Sequence, residues 1–323
     1  MNAKQTSLAL AAVAALLAGC TKNPFETPST SNGLSDLEIA SVNSVQTRAV
    51  IDGTTFPQTG HIGLFLFKDE GATTLYAESG CSNVDYSYDS SKSKWTANPS
   101  IKVGSTSGYL YGYYPYTAGT LEKPVVVTAI PIASSLNGDD VMYASKQTTP
   151  VTDKTAASTS IVMNHALARI ALTVKKSNYT GAALLTNIKF TNGAGTKDED
   201  KVKISASGTL NAVDGSITAT RAESVSFAVS GDSQTISTSG TLHECLLVPS
   251  ASVDARQDVM LTLTIDNIDK SVTLSGDNGV TIKSGVKSTV TLTLSDTGLT
   301  VSSVSIVDWG NGTSSTGSIG EDL

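Results

Sequence analysis

The sequence predicts an all-β protein made of two β-sandwich domains in tandem. Three observations carry that expectation. Charged residues are only 16% of the chain, while Thr, Ser and Gly abound, a composition that favours strands and turns over helices. Apolar residues recur at every second position, most cleanly at Val259, Leu261, Leu263 and Ile265 and again at Val290, Leu292 and Leu294, which is the period of a half-buried strand. No helical period runs for any length, and the strand candidates sit at regular spacing between turn signals. Beyond a short leader about 300 residues remain, enough for one large or two ordinary domains with a core each; we place their meeting near residue 160.

At the amino terminus, Met1–Gly19 reads as a signal peptide. Lys4 forms a small positive region, Leu8–Leu17 an apolar one, and Leu17-Ala18-Gly19-Cys20 a run of small residues before a cysteine. The apolar run is too short for a membrane span, and no later stretch is long enough for one. Leu-Ala-Gly-Cys is similar to a lipobox, in which the cysteine carries the lipid and the signal is cut before it. Cys20 is therefore the expected anchor, each buried acyl methylene contributing about 0.8 kcal/mol of membrane affinity. Thr21–Gly33 holds Pro24 and Pro28 among Ser, Thr and Asn and reads as a tether. In Asp36–Arg48, Leu37 and Ile39 alternate and Val42 and Val45 continue less regularly, so a short strand is expected there.

The first domain is expected over residues 49–158. Ile62–Phe67 is apolar at nearly every position, as in a strand covered on both faces. Lys94–Thr96, Tyr109–Tyr114 and Val125–Ile130 follow as strand candidates. Thr148–Ser160, rich in Thr, Ser and Ala, reads as a linker into the second domain, residues 159–323. There Ile170, Leu172 and Val174 alternate, as do Val225, Phe227 and Val229, ahead of the two clean patterns above.

Several function classes find no support. Net charge is −7 and the basic residues are scattered, which speaks against nucleic acid as a partner. His61, His165 and His243 lie far apart without a metal-binding spacing and read as strand or surface residues. No phosphate-cradling loop or nucleophile elbow is present. Asp198-Glu199-Asp200 lacks the alternate ligand spacing of a calcium loop and reads as a hairpin tip. We therefore expect no catalytic residue, metal or cofactor, and not an enzyme. Cys81 and Cys245 admit two readings, a disulfide or a pair of small buried thiols, with the second preferred because they fall in different domains. Tyr109, Tyr111, Tyr113, Tyr114 and Tyr116 also admit two: a sugar-stacking platform, or cross-strand packing, which is the commoner use of such rings.

Five stretches together resemble the fimbrillin family, the type V pilins of Gram-negative anaerobes. Thr47-Arg48-Ala49, with Phe56 and His61-Ile62-Gly63-Leu64-Phe65, is similar to the family's Thr-Arg-Ala and the strand after it, although Gly60-His61 stands where Gly-Asp is usual. The others are Tyr111–Tyr116, Asp140-Val141-Met142-Tyr143-Ala144, His165-Ala166-Leu167-Ala168-Arg169-Ile170, and the tail Val301–Trp309. Each is weak alone; their order spans nearly the whole mature chain.

The resemblance implies two transthyretin-like Greek-key domains and export to the outer membrane as a lipoprotein. It further implies cleavage after an arginine by a trypsin-like protease, here between Arg48 and Ala49. The cut would take away the lipid and the strand within residues 20–48, expected to be an edge strand, leaving unpaired backbone and an apolar groove. A strand from the next subunit would fill it, for which Val301, Val304, Ile306 and Trp309 are the donor candidates. Such a head-to-tail contact need not close and so makes a fibre, of one pilin or several. The offset between Val301 and Val304 predicts a bulge near Ser302 and Ser303. Three alternatives stay open: residues 301–309 as the last strand of their own domain, as suits a tip or accessory adhesin; an exposed Arg48 without a role; and a surface glycan-binding lipoprotein. A host glycan or protein ligand would suit an adhesive role.

Overall fold

The computed structural model describes residues 34–44, 56, 58–104, 106, 108–119, 125–144, 146, 158–193, 204–222, 224–231, 233–249 and 256–309. All of them belong to one compact unit, and every regular element among them except a three-ten turn at Gly276–Asn278 is a strand.

Up to residue 165 the strands are β1 (Ser35–Asp36), β2 (Glu38–Ser44), β3 (His61–Phe67), β4 (Val84–Asp89), β5 (Lys94–Thr96), β6 (Lys102–Val103), β7 (Tyr109–Tyr114), β8 (Ile130–Ala133), β9 (Ser135–Leu136), β10 (Met142–Ala144) and β11 (Ser158–His165). Seven of them close a barrel in the order β10-β11-β2-β5-β4-β3-β7, with β7 pairing back to β10. The apolar run of β3 follows from this closure. Ile62, Leu64 and Leu66 point into the barrel with Tyr86, Trp95, Leu110 and Ile161, while Phe65 and Phe67 leave the other face and join a second cluster with Tyr111 and Tyr113.

The remaining strands are β12 (Ala168–Lys176), β13 (Leu184–Asn192), β14 (Ser205–Leu210), β15 (Ile217–Arg221), β16 (Ser224–Ala228), β17 (Gln234–Thr235), β18 (Thr241–Leu247), β19 (Val259–Ile265), β20 (Ile268–Leu274), β21 (Val286–Ser295) and β22 (Gly298–Asp308). One sheet runs β22-β21-β12-β18-β9 and another β16-β13-β19-β20, with β17 added to β13. The alternating residues of β12, β19 and β21 named above supply the third cluster, with Ile188, Phe190 and Leu294. Two small sheets, β15-β14-β8 and β1-β6, complete the fold.

The strands do not sort along the chain at residue 158. β11 belongs to the barrel, paired with β2 and β10, while β8 and β9 join sheets of the later half. The crossing into those sheets falls at Ala166-Leu167, both buried in the cluster that also holds Phe65, Tyr113, Leu246 and Trp309.

Val125–Ile130 is not a strand. Val125 and Val127 are buried and Val126 and Thr128 exposed, but the Ala129 amide donates to the Val126 carbonyl at 3.0 Å, which closes a turn, and the strand β8 begins only at Ile130. Burial at every second residue arises here without a ladder. Cys81 and Cys245 are free buried thiols in separate clusters, so the disulfide reading falls away. The stretch Asp198–Asp200 lies outside the described residues.

Neither ring nitrogen of the buried His243 finds a partner, and burial pushes its pKa below the ordinary 6.5. The unfolded chain therefore takes up a proton near pH 6.5 that the folded chain refuses, and stability is lost as pH falls through that value. We expect the thermal midpoint of a His243→Leu chain to fall less than the parent's between pH 7 and pH 5. Equal slopes would rule this out.

Candidate functional site

The residues to which the sequence assigns a role lie at the two ends of the chain, and each end is tied into the fold differently. Cys20, Arg48 and Ala49 fall outside the described residues. Their neighbours do not: β2 ends at Ser44, and Phe56 is buried, its ring edge-on to Trp95 at 5.6 Å and to Tyr114 at 4.8 Å. The chain is thus anchored on both sides of Arg48.

β2 carries the short strand expected before Arg48, and its place in the sheet corrects one expectation. It is not an edge strand. β11 runs parallel to it along its length, and Ile39 pairs with Trp95 of β5 on the other side. Leu37, Ile39 and Val42 are buried in the barrel core. Their uneven spacing has a local cause: Ile39 faces Thr159 and Ser41 faces Ser160, so Ala40 is bulged out and exposed. The backbone of Leu37 is held as well. Its amide donates to the Ile101 carbonyl at 2.8 Å, and its own carbonyl accepts the Tyr86 hydroxyl at 2.9 Å. Outside the core, Asp36 pairs with Lys102 and Glu38 with Lys94. The Lys102 ammonium and the Ser100 hydroxyl together hold the Asp36 carboxyl below its usual range.

At the other end, Val301, Val304 and Ile306 lie on β22, antiparallel to β21 from Val286↔Asp308 to Ser295↔Gly298. Val301 and Val304 are partly buried against the core of this half, and Ile306 is half-exposed. The register shifts where the broken alternation predicts: Ser303 faces Thr291 and Val301 faces Leu292, leaving Ser302 as the bulge.

Trp309, directly after this strand, sits in a buried polar cluster. Its ring stacks on His165, with centroids 4.1 Å apart and planes within 10°, and the Arg169 guanidinium carbon lies 5.5 Å from its centre. Arg169, fully buried, donates through Nε to the Glu244 carboxylate at 2.6 Å and through Nη2 to its other oxygen. His165 Nδ1 meets the Asp140 carboxylate, both side chains buried. Burial pushes the Asp140 carboxyl above its usual range, and His165 and Arg169 pull it partway back. Three of the five motif stretches meet here, through Asp140, through His165 and Arg169, and through Trp309. Reading His165 as an ordinary strand residue missed this; the three motifs were the available signal.

The tyrosines are packing residues. Tyr111 and Tyr113 are buried, with hydroxyls donating to the Glu70 carbonyl at 2.6 Å and to Asn83 Oδ1 at 2.8 Å, and Tyr109, Tyr114 and Tyr116 are half-buried. That removes the exposed platform on which a glycan-binding reading depended. Among the described residues, no group of three or more His, Cys, Asp or Glu is placed to hold a metal ion, and no helix is long and apolar enough to cross a membrane.

The family profile described as fimbrillin-like matches residues 47–309, well over half of the chain. No curated protein matches the sequence. Among solved structures, a candidate cell adhesion protein from Bacteroides uniformis superposes with a TM-score of 0.58 at 18% identity, covering 86% of this chain and 99% of that one. A second, from Bacteroides ovatus, gives 0.57 at 18% identity over 85% and 98%. At that identity the likeness is one of fold.

Proposed function

We propose, from the premise that this chain belongs to the fimbrillin-like family, that it is a fimbrial subunit which loses its first strand and assembles by taking another in its place. It travels to the outer membrane on the lipid at Cys20, is cut between Arg48 and Ala49 by an arginine-specific protease, and leaves the membrane for a fibre at the cell surface that serves adhesion. Other pilin subunits are its partners.

One observation carries the reading: the strand just before Arg48 fills an interior slot of a closed barrel. Leu37, Ile39 and Val42 stand among Tyr86, Trp95, Ile161 and Met163, and the next described anchor is Phe56. A cut between the two anchors frees a segment whose departure opens the barrel, baring the β11 backbone and an apolar trough. Exposed strand edges of this kind accept a replacement strand.

A second reading concerns what this chain gives in return. The ladder of β22 on β21 and the burial of Trp309 favour an accessory or tip subunit, which accepts a strand and donates none. As a stalk subunit, it would have to strip β22 from β21 and withdraw Trp309 from its stack.

Mild trypsin on the purified precursor tests both readings. We expect a new amino terminus at Ala49 and, for a stalk subunit, ladders that resist SDS; an Arg48→Ala chain stays whole and monomeric. Cleavage that leaves only monomers speaks for the accessory role, and a precursor that is not cut at Arg48 sinks the processing step.

A further inference from the structure

We infer that the slot selects its occupant by charge, and that the strand it takes carries two carboxylates two residues apart with apolar residues between and after them. This rests on the strand-replacement reading above and names the chemistry of the partner.

The resident segment follows that pattern. Asp36 and Glu38 flank Leu37, and Ile39 follows. Both carboxylates meet lysines of the fixed wall, Lys102 on β6 and Lys94 on β5, while both apolar residues enter the core. The wall across the sheet is different in kind. β11 offers β2 only Ser, Thr, Ile, Val and Met opposite residues 38–44, so charge acts on one side and at one end of the slot.

When the resident strand leaves, both carboxylates go with it. Lys92 keeps Asp89 at 3.3 Å. Lys94 and Lys102 lose the only acidic partners they have among the described ion pairs. The emptied slot thus has a basic mouth over an apolar floor. Beside that mouth lies a pocket of about 310 Å³, lined by Asp36, Glu38, Lys92, Asn98, Ser100 and Lys102 among others, which gives a longer carboxylate room to reach Lys102. Charges at the rim of a binding surface contribute to the rate of encounter and to the choice of partner more than to raw affinity.

The candidate donor of this chain fits poorly. Gly298–Trp309 carries a single charge, Asp308, so it cannot match both lysines. A subunit of different sequence, with an acidic-apolar-acidic-apolar start to its donor strand, is the better occupant.

The test uses the full chain after cleavage at Arg48, with labelled peptides of residues 34–44 as probes. We expect the parent peptide to bind, and one carrying Asp36→Lys and Glu38→Lys to bind about ten-fold more weakly at low salt, the gap closing as salt is raised. A chain with Lys94→Glu and Lys102→Glu reverses the preference. Should that chain fail to fold, the four-fold variant that also carries Asp36→Lys and Glu38→Lys restores both pairs with signs exchanged and supplies the same slot after cleavage. Equal binding of the two peptides by the parent chain overturns charge selection and leaves strand replacement standing. If neither peptide binds, both ideas are overturned.

Discussion

Replacing Trp309 with alanine lowers the stability of the folded chain by about 3–5 kcal/mol, the usual cost of emptying a buried aromatic site. The indole is 4% exposed, stacks on the imidazole of His165 and lies against the guanidinium of Arg169, and His165 in turn meets the carboxylate of Asp140. Its loss therefore does more than leave a cavity. It hydrates one side of a pair, His165 and Asp140, whose attraction depends on being dry, and removes the ring that faces the Arg169 cation. A Trp309→Phe chain keeps an aromatic face on His165 and should lose about half as much. Urea midpoints at unchanged slope measure both. A loss below about 0.5 kcal/mol for the alanine chain, the range of an ordinary surface change, would show that the strand end is not fastened here. The same variant bears on assembly, because a stalk subunit must release this ring: loosening it should speed ladder formation after trypsin if β22 is donated, and leave it unchanged if β22 stays at home.

How much of this was legible in the sequence depends on how local each signal is. Ile62–Phe67 could be read because an apolar run on both parities has one common meaning, a strand covered on both faces. The bulge at Ser302 was readable for a similar reason, since Val301 and Val304 cannot both point inward without an extra residue between them. Ala40 leaves the same mark between Ile39 and Val42. Val125–Ile130 misled because side-chain alternation reports burial, and a turn against a packed surface can alternate as well as a strand. Nothing in β2 itself says which strands flank it. One buried face is compatible with an edge or an interior place, and β11, its parallel neighbour, lies more than a hundred residues downstream. The junction was hidden for the same reason. Asp140, the pair His165 and Arg169, Glu244 and Trp309 come from stretches far apart in the chain, and none of these stretches announces the others. Their motifs showed that these places mattered to the resemblance, but not that they touch.

Cutting the chain at Arg48 should lower its thermal midpoint by roughly 10 °C and make that midpoint rise with protein concentration, whereas the uncut chain shows no such dependence. Burying Leu37, Ile39 and Val42 contributes about 1.5–3 kcal/mol each, or about 5–9 kcal/mol in all, to which the backbone ladder on β11 adds. Ordering the seven residues of β2 costs about 1–2 kcal/mol apiece, or about 7–14 kcal/mol in all, which cancels the burial gain and leaves the ladder to supply the margin. In the uncut chain the strand is tied to Phe56 and cannot drift away, so the balance suffices. Once cut, the same contacts must also meet the cost of holding a separate molecule, and the strand becomes a ligand with a finite dissociation constant. A deficit of a few kcal/mol gives the stated fall in a chain of this size. Scanning calorimetry at several concentrations, with and without added peptide of residues 34–44, measures it, and the peptide should restore the midpoint. A cut chain with an unshifted midpoint at every concentration would mean that the strand never leaves. The slot would then be closed to any successor, whatever the protease does.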